Sequence, residues 1–209
     1  KNYNYIKQSI NNINVIYILI YLLLAAKIIE QLCHIIISNF YAFQNWKDFD
    51  RKLWEKIIKE CNNKDIPVIL ITNQGGIGIG LHSWKDFALI QKKLLNQLLK
   101  KNTKVDGVIA CAHHPYAKGN LHHLNHPCRK PNGGMFLIAK KLFNLDLKNS
   151  WMIGDKINDL KAAYSKGLKG GILVMTGYGK EEKKKLDQLP KKNFIIKTAP
   201  SLNKVKITF

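Results

Sequence analysis

The chain is poor in arginine and in acidic residues. Arg51 and Arg129 are the only arginines among 34 basic residues, and 14 residues are acidic, so the formal net charge is +20. Proteins that bind nucleic acids use the forked guanidinium group of arginine to hold phosphates and bases. The lysines here are scattered, apart from a run at 183–185 that is typical of a solvated helix face. We therefore interpret the charge as a compositional bias and do not expect a nucleic-acid partner.

Cysteines and long apolar runs are also scarce. Four cysteines in 209 residues exclude a small disulfide-bonded scaffold, and a hydrophobic share of 46% excludes a disordered chain. The longest apolar run, residues 15–26, is shorter than the about 20 residues that cross a bilayer. The sequence therefore predicts a globular monomer with one core, and no membrane partner apart from the apolar N-terminal segment.

The first forty residues differ in character from the rest. Residues 15–26 and 32–37 form two apolar stretches separated by the more polar residues 27–31. This pattern suits a buried strand and helix, a membrane or export segment, or non-native sequence upstream of a truncated gene. We divide the chain into an atypical apolar segment, residues 1–40, and a domain, residues 41–209.

From residue 45 onward, helical and strand patterns alternate. Apolar residues at helical spacing predict a helix from Trp46 to Cys61, and Ser83 is a candidate N-cap for a helix that runs to about Lys101. Short runs rich in β-branched residues predict strands buried on both faces. The predicted strands are 67–72, 107–111, 150–154 and 171–175, and the further helices are 134–143 and 158–165. This order predicts an α/β fold with a doubly wound parallel sheet, which binds ligands at the carboxyl ends of its strands.

Polar residues gather at these predicted strand ends. Thr72 and Asn73 precede a run of glycines, whose backbone N–H groups can approach an anion closely. Asp155 follows the 150–154 strand, where a carboxylate can hold Mg²⁺. Arg129 and Lys130 lie in a loop that can grip a phosphate. Each feature alone also suits an ordinary turn, helix cap or solvated pair, but their occurrence at successive strand ends indicates a phosphate site.

A loop rich in histidine carries two pairs of metal-ligand residues. Cys111 and His113 form the first pair, and His126 and Cys128 form the second, with twelve residues between the pairs. Two thiolates and two imidazoles can close a tetrahedral structural zinc site. The spare histidines at 114, 122 and 123 leave the third ligand open, and a His-rich surface loop with two chance thiols is the alternative. Thiolates held by a metal favour a reducing compartment, so we expect a cytoplasmic protein.

Several motifs together carry a family resemblance. They are Ile71–Gly80, Cys111–Pro115, Cys128–Met135, Met152–Ala163 and Thr176–Gly179. In order and spacing they resemble the D-glycero-D-manno-heptose 1,7-bisphosphate phosphatases, a zinc-containing branch of the haloacid dehalogenase (HAD) superfamily. The resemblance covers about residues 45 to 197. It implies a Rossmann-like three-layer fold with a minimal cap or none, a Mg²⁺-dependent phosphoaspartyl mechanism, and a sugar-phosphate substrate of lipopolysaccharide core heptose biosynthesis.

The resemblance also assigns roles by position. It implies that Thr72 and Lys130 serve catalysis, that Asp155 holds Mg²⁺, and that the zinc is structural. The implied substrate-binding residues are Thr72, Asn73, Gln74, Gly75, Arg129, Lys130 and Lys156, and the implied zinc ligands are Cys111, His113, His126 and Cys128. The family's usual pattern has Cys at the position of His126, and His is an equally good zinc ligand.

One family motif is missing from this chain. The family's nucleophile and its general acid/base belong to an Asp-x-Asp-Gly-Thr segment at the tip of the first strand, which the resemblance puts near residues 28–34. Glu30 is a lone carboxylate there, and the single Asp-x-Asp, at 48–50, suits the N-terminal turn of the predicted helix. Covalent phosphoryl transfer needs an in-line carboxylate and a group that protonates the leaving oxygen. The nucleophile is therefore unknown, and the activity of this chain stays open.

Two other functions fit part of the sequence. A histidinol-phosphate phosphatase shares the zinc loop, although Gly154–Lys156 and the glycines after Gln74 resemble the heptose branch more closely. A non-catalytic, zinc-stabilised binding protein with a basic surface is the alternative from another class, and it suits the missing carboxylates.

Overall fold

Seven strands form one sheet in the computed structural model, which describes residues 18–19, 34–38, 51–190 and 192–206. The strands are β1 (Ile18–Leu19), β2 (His34–Ser38), β3 (Val68–Asn73), β4 (Gly107–Cys111), β5 (Ser150–Gly154), β6 (Gly170–Val174) and β7 (Ile195–Ala199). Their order across the sheet is β1-β4-β3-β2-β5-β6-β7. All neighbouring pairs are parallel except β1 and β4, which are antiparallel.

Six helices connect or flank these strands in the described part of the chain. They are α1 (Arg51–Asn62), α2 (Gly75–Gly78), α3 (Trp84–Leu99), α4 (Gly134–Phe143), α5 (Ile157–Tyr164) and α6 (Gly179–Glu182). Short 3-10 turns add Gly119–Leu121, Leu147–Asn149, Lys183–Gln188 and Leu202–Lys204. None of the helices in these described ranges is long and apolar enough to cross a membrane.

The core lies on both faces of the sheet. Leu70, Val108 and Ile153 belong to one buried cluster, which packs against α1 and α3. Ile71 and Met152 belong to a second cluster, which packs against α4 and α5. Because successive residues of a strand point to opposite faces, continuous apolar strands are what a sheet covered on both sides requires. The predicted α/β class and Rossmann-like parallel sheet are confirmed.

Most of the predicted elements agree with the structure to within a residue or two. The strands at 107–111 and 150–154 and the helix at 134–143 have the predicted bounds, and α3 begins after Ser83 as predicted. The Ser83 side chain accepts the Asp86 N–H at 3.1 Å, and Asp86 accepts the Ser83 N–H at 2.9 Å, so the two residues form a capping box. The predicted helix from Trp46 begins outside the described residues, which resume at Arg51 within α1.

Strand β2 corrects the expected position of the first strand's tip. This strand lies in the middle of the sheet, with Ser38 paired with Ile71 of β3 and Ile37 paired with Ile153 of β5. Its carboxyl end is therefore Ser38, whereas the resemblance put the tip near residues 28–34. Glu30 and the carboxylates at 48 and 50 lie outside the described residues. The division at residue 40 stays a prediction, although two strands of residues 1–40 join the sheet.

Strand β7 was not predicted from the sequence. It pairs with β6 at one edge of the sheet, and its residues Ile195–Ala199 are mostly exposed or half-buried. An edge strand of this kind includes Lys197 and Thr198 and lacks the apolar run that marks the interior strands. The three lysines at 183–185 are exposed, as predicted for a solvated face.

Candidate active site

The carboxyl ends of β3 and β5 lie on either side of the end of β2. Thr72 and Asn73 are the last residues of β3, and Asp155 directly follows β5. The connection from β4 to α4 brings Lys130 to the same edge, because Asn73 and Lys130 bind each other through two hydrogen bonds. The predicted convergence of these residues therefore occurs in the structure.

A buried ion pair between Lys130 and Asp159 lies at the centre of this edge. The Lys130 Nζ atom is 2.7 Å from Asp159 Oδ1, and both side chains are only 4% exposed. The same ammonium group donates to the Ile71 carbonyl at 3.4 Å. A buried ammonium is stable only where carboxylate and carbonyl oxygens replace its water shell. Asp159 and the end of β3 thus determine where the cation of Lys130 lies.

Asn73 shapes the loop that carries Lys130. Its amide Nδ2 donates to the Lys130 carbonyl at 3.0 Å, and its Oδ1 accepts the Lys130 N–H at 3.0 Å. The Asn73 amide thus bonds both the N–H and the C=O of Lys130, as a neighbouring strand would, across a sequence separation of 57 residues. One amide proton of Asn73 is therefore used to hold the loop, which leaves the other proton to meet a ligand.

Asp155 is a buried carboxylate held by the segment after β6. Its Oδ2 accepts the Tyr178 N–H at 3.1 Å. Burial raises the pKa of Asp155 to about 7, and the Asp159 charge adds to the rise. Gly177 lies at a φ of +59°, and a Cβ atom there would be 2.4 Å from Asp155 Oδ2. A raised pKa means that neither water nor a neighbouring positive charge fully stabilises the ionised carboxylate. A bound cation would supply that positive charge.

Thr72 is linked to the polar chain that follows it. Gln74 Nε2 donates to Thr72 Oγ1 at 2.8 Å, and His82 Nε2 lies 3.4 Å from Gln74 Oε1. Thr72 and Gln74 are both buried. Since the Thr72 oxygen accepts from Gln74, its own proton points away from that amide.

Arg129 and Lys156 lie at the rim of this cluster. Arg129 Nη1 donates to the His113 carbonyl at 3.1 Å, and burial lowers the pKa of its guanidinium. A Cβ atom on Gly75 would lie 3.0 Å from Arg129 Nη1, so the two loops pack closely. Lys156 is exposed, and its Nζ lies 3.9 Å from the centroid of the Tyr178 ring.

The four predicted zinc ligands are brought close together. The rings of His113 and His126 stack with centroids 3.5 Å apart, and the Cys128 N–H donates to His126 Nδ1 at 3.2 Å. Burial raises the pKa of Cys111, and burial together with the Cys111 charge raises the pKa of Cys128 to about 12. Burial also lowers the pKa of His126 to about 4. In the described part of the chain, no three His, Cys, Asp or Glu side chains are arranged as a group that could hold a metal.

Two contributors to the cluster received no role from the sequence. Asp159 pairs with Lys130, and Tyr178 donates its backbone N–H to Asp155. Asp159 lies three residues after Lys156 and accepts the Lys156 N–H at 3.2 Å, which is a capping-box position that the sequence could have signalled. Tyr178 lies in the Thr176–Gly179 motif of the resemblance, but the motif does not predict its contact with Asp155, because that contact depends on how the loop after β6 turns back.

Comparisons with known proteins place this geometry in a family. A family model described as HAD-hydrolase-like matches residues 127–201. A D-glycero-beta-D-manno-heptose-1,7-bisphosphate 7-phosphatase of Mesorhizobium japonicum is 42% identical over 117 residues, which are 56% of this chain and 54% of the relative. The phosphatase of the same name from Haemophilus ducreyi is 37% identical over 123 residues, covering 58% of this chain and 67% of the relative. The chain belongs to the D-glycero-β-D-manno-heptose-1,7-bisphosphate 7-phosphatase family.

Solved structures support the HAD-like fold. The structure of a protein described as a HAD-like phosphatase, from Mesorhizobium loti, is 30% identical with a TM-score of 0.68, covering 78% of this chain and 81% of that one. A D,D-heptose 1,7-bisphosphate phosphatase from B. bronchiseptica, complexed with magnesium and phosphate, is 24% identical with a TM-score of 0.69, covering 82% of this chain and 94% of that one. The sequence relatives above confirm the predicted family resemblance. The chain spans between 54% and 67% of the length of the two phosphatase sequences above.

We predict that removing the Asp159 charge destabilises the fold. In Asp159→Asn the Lys130 ammonium stays buried without its carboxylate, and the loss of one partner of a buried pair costs about 3 to 5 kcal/mol. Urea unfolding followed by circular dichroism measures this cost. Glu60→Gln is the matched control, because Glu60 and Lys56 form an exposed pair worth less than about 1 kcal/mol. Equal midpoints for the two variants would contradict the prediction.

Proposed function

We propose that this chain binds D-glycero-D-manno-heptose 1,7-bisphosphate at the carboxyl ends of β3 and β5, with the 7-phosphate as the group to be removed. The observation that carries the proposal is the Lys130 ammonium, buried between Asp159 and the end of β3 at the edge where parallel sheets bind ligands. A cation fixed there can offset phosphoryl charge without reorganising. We take the identity of the sugar from the names of the related phosphatases.

The side chains around Lys130 divide into a deep set and a rim. Thr72 and Asn73 belong to the deep set, where a hydroxyl and an amide proton can donate to phosphoryl oxygens. Arg129 and Lys156 belong to the rim, where their charges can meet the rest of the sugar phosphate. Gln74 and Gly75 complete the predicted substrate-binding residues. Gln74 orients the Thr72 hydroxyl, and the lack of a side chain on Gly75 leaves room for Arg129.

Asp155 suits a magnesium ion. It is a buried carboxylate with a raised pKa at a strand end, and oxygen ligands of this kind are what Mg²⁺ prefers. When bound, Mg²⁺ supplies positive charge that offsets the charge of the phosphoryl group. The backbone N–H of Tyr178 donates to the Asp155 carboxylate and holds it at this strand end.

Hydrolysis in this chain is limited because no carboxylate stands directly after β2, where the resemblance places the family's nucleophile. Ser38 ends β2, between the strands that carry Thr72 and Asp155, and residues 39–47 contain no Asp or Glu. A serine hydroxyl, with an ordinary pKa far above neutrality, is a weak nucleophile unless a base activates it. We therefore propose a family member that binds its substrate but turns it over slowly. Monomeric state and cytoplasmic location stay predictions.

Restoring the missing carboxylates tests this proposal. In the double variant Ser38→Asp/Phe40→Asp, two carboxylates regain the Asp-x-Asp spacing, and phosphate release from heptose 1,7-bisphosphate with Mg²⁺ is expected to rise at least about 100-fold. The same double variant carrying Lys130→Met is the control and is expected to stay slow. Wild-type turnover equal to that of the Haemophilus ducreyi relative would contradict the proposed limit. Faster release from histidinol phosphate than from the heptose would favour the alternative substrate.

We also propose that the loop from 111 to 128 holds one structural zinc ion. The proposal is supported by its donor set: two buried thiols and two stacked imidazoles lie in one region, and thiolates and neutral imidazoles are the ligands of closed zinc sites. Cys111, His113, His126 and Cys128 would hold the ion, with His123, whose ring lies 5.0 Å from that of His126, as the spare ligand.

Metal analysis tests the zinc proposal. Purified wild-type chain is expected to contain about one zinc per chain, and Cys128→Ser is expected to lose most of it and to melt at a lower temperature. Cys61→Ser is the matched control, because Cys61 is also a buried thiol but lies in α1 and packs in the other core cluster. A zinc-free wild-type chain whose melting temperature is unchanged by a chelator would contradict the proposal.

A further inference from the structure

The segment after β6 is fixed against the segment after β5 at three points. The Tyr178 N–H donates to Asp155 Oδ2 at 3.1 Å, and the Ile157 N–H donates to Glu182 Oε2 at 2.9 Å. Between these bonds, Lys156 Nζ lies 3.9 Å from the Tyr178 ring centroid. The residues of one segment thus contact three consecutive residues of the other.

Two glycines determine how this segment turns. A Cβ atom on Gly177 would lie 2.4 Å from Asp155 Oδ2, and one on Gly179 would lie 1.7 Å from the Val174 carbonyl oxygen. Both distances are shorter than real Cβ contacts, so the turn packs too closely against Asp155 and the end of β6 to admit a side chain at either glycine. Tyr178, between the two glycines, is therefore held next to Asp155 and Lys156.

Lys156 lies close to the buried ion pair without being part of it. Asp159 accepts from the Lys130 ammonium through Oδ1 and from the Lys156 N–H through Oδ2. One carboxylate therefore links the backbone of Lys156 to the buried cation. The cluster offers one ammonium in its interior, on Lys130, and a second, on Lys156, at its exposed side.

We propose that Tyr178 is a positioning residue that makes the site selective for sugar bisphosphates over monophosphates. An aromatic face attracts an ammonium group, so the Tyr178 ring keeps the flexible Lys156 side chain at the mouth of the site. When the first phosphate of a ligand is bound near Lys130, the Lys156 ammonium can form an ion pair only with a second anionic group on that ligand. The inference rests on the proposed function, and it assigns the discrimination between one phosphate and two to a residue that does not touch the transferred group.

Calorimetric titration tests this selectivity. The wild type and Tyr178→Ala are each titrated with heptose 1,7-bisphosphate and with heptose 7-phosphate in the presence of Mg²⁺. Tyr178→Ala is expected to bind the bisphosphate roughly fivefold more weakly and the monophosphate less than about twofold more weakly. Tyr178→Phe keeps the aromatic face and is expected to resemble the wild type. Lys156→Ala is expected to reproduce the loss, and adding Tyr178→Ala to it is expected to weaken binding no further.

An NMR measurement without ligand separates this inference from the proposed function. Protons on the Lys156 side chain near the ring are expected to be shifted upfield in the wild type and in Tyr178→Phe, but not in Tyr178→Ala. Absence of the upfield shift in the wild type would overturn the inference, and so would an equal loss of affinity for both ligands in Tyr178→Ala. A wild-type chain that shows the shift but binds neither sugar would contradict the proposed function while upholding the contact between Tyr178 and Lys156.

Discussion

The buried ion pair between Lys130 and Asp159 holds the candidate site together. Lys130 comes from the connection between β4 and α4, and Asp159 lies in the first turn of α5. Each of these segments has a further contact: Asn73 forms two hydrogen bonds with the Lys130 backbone, and Asp159 also accepts the Lys156 N–H. Because a buried charge is tolerated only beside its partner, the pair fixes the relative position of these segments.

The charges of the cluster explain why the site needs a further cation. Lys130 is balanced by Asp159, so an ionised Asp155 leaves the interior of the cluster with a net negative charge. Burial and the charge of Asp159 raise the pKa of Asp155 to about 7 for this reason. A phosphate dianion is poorly matched to such a site unless a divalent cation is bound at Asp155. The positive charges of the rim residues Arg129 and Lys156 also offset this negative charge.

Local sequence patterns predicted the interior of the fold well and its long-range contacts poorly. The strands β4 and β5 were predicted to the residue, because a continuous β-branched run depends only on burial of both faces. Strand β7 escaped prediction because an edge strand carries polar residues. The pairing of Lys130 with Asp159, and of Tyr178 with Asp155, depends on loop conformations that no local pattern encodes. The pairing of β2 with β3 and β5 places the end of β2 at Ser38, and no sequence motif marks that position.

Binding of inorganic phosphate tests the central claim, that the Lys130 cluster is an anion site which depends on a bound cation. Isothermal titration of the wild-type chain with phosphate in the presence of Mg²⁺ is expected to give a dissociation constant of about 1 mM or tighter. Removal of Mg²⁺ is expected to weaken binding at least about tenfold, and so is the paired variant Lys130→Met/Asp159→Leu, which removes both charges of the buried pair together. Phosphate binding that is absent in the wild type, or equally tight in the paired variant, would contradict the account.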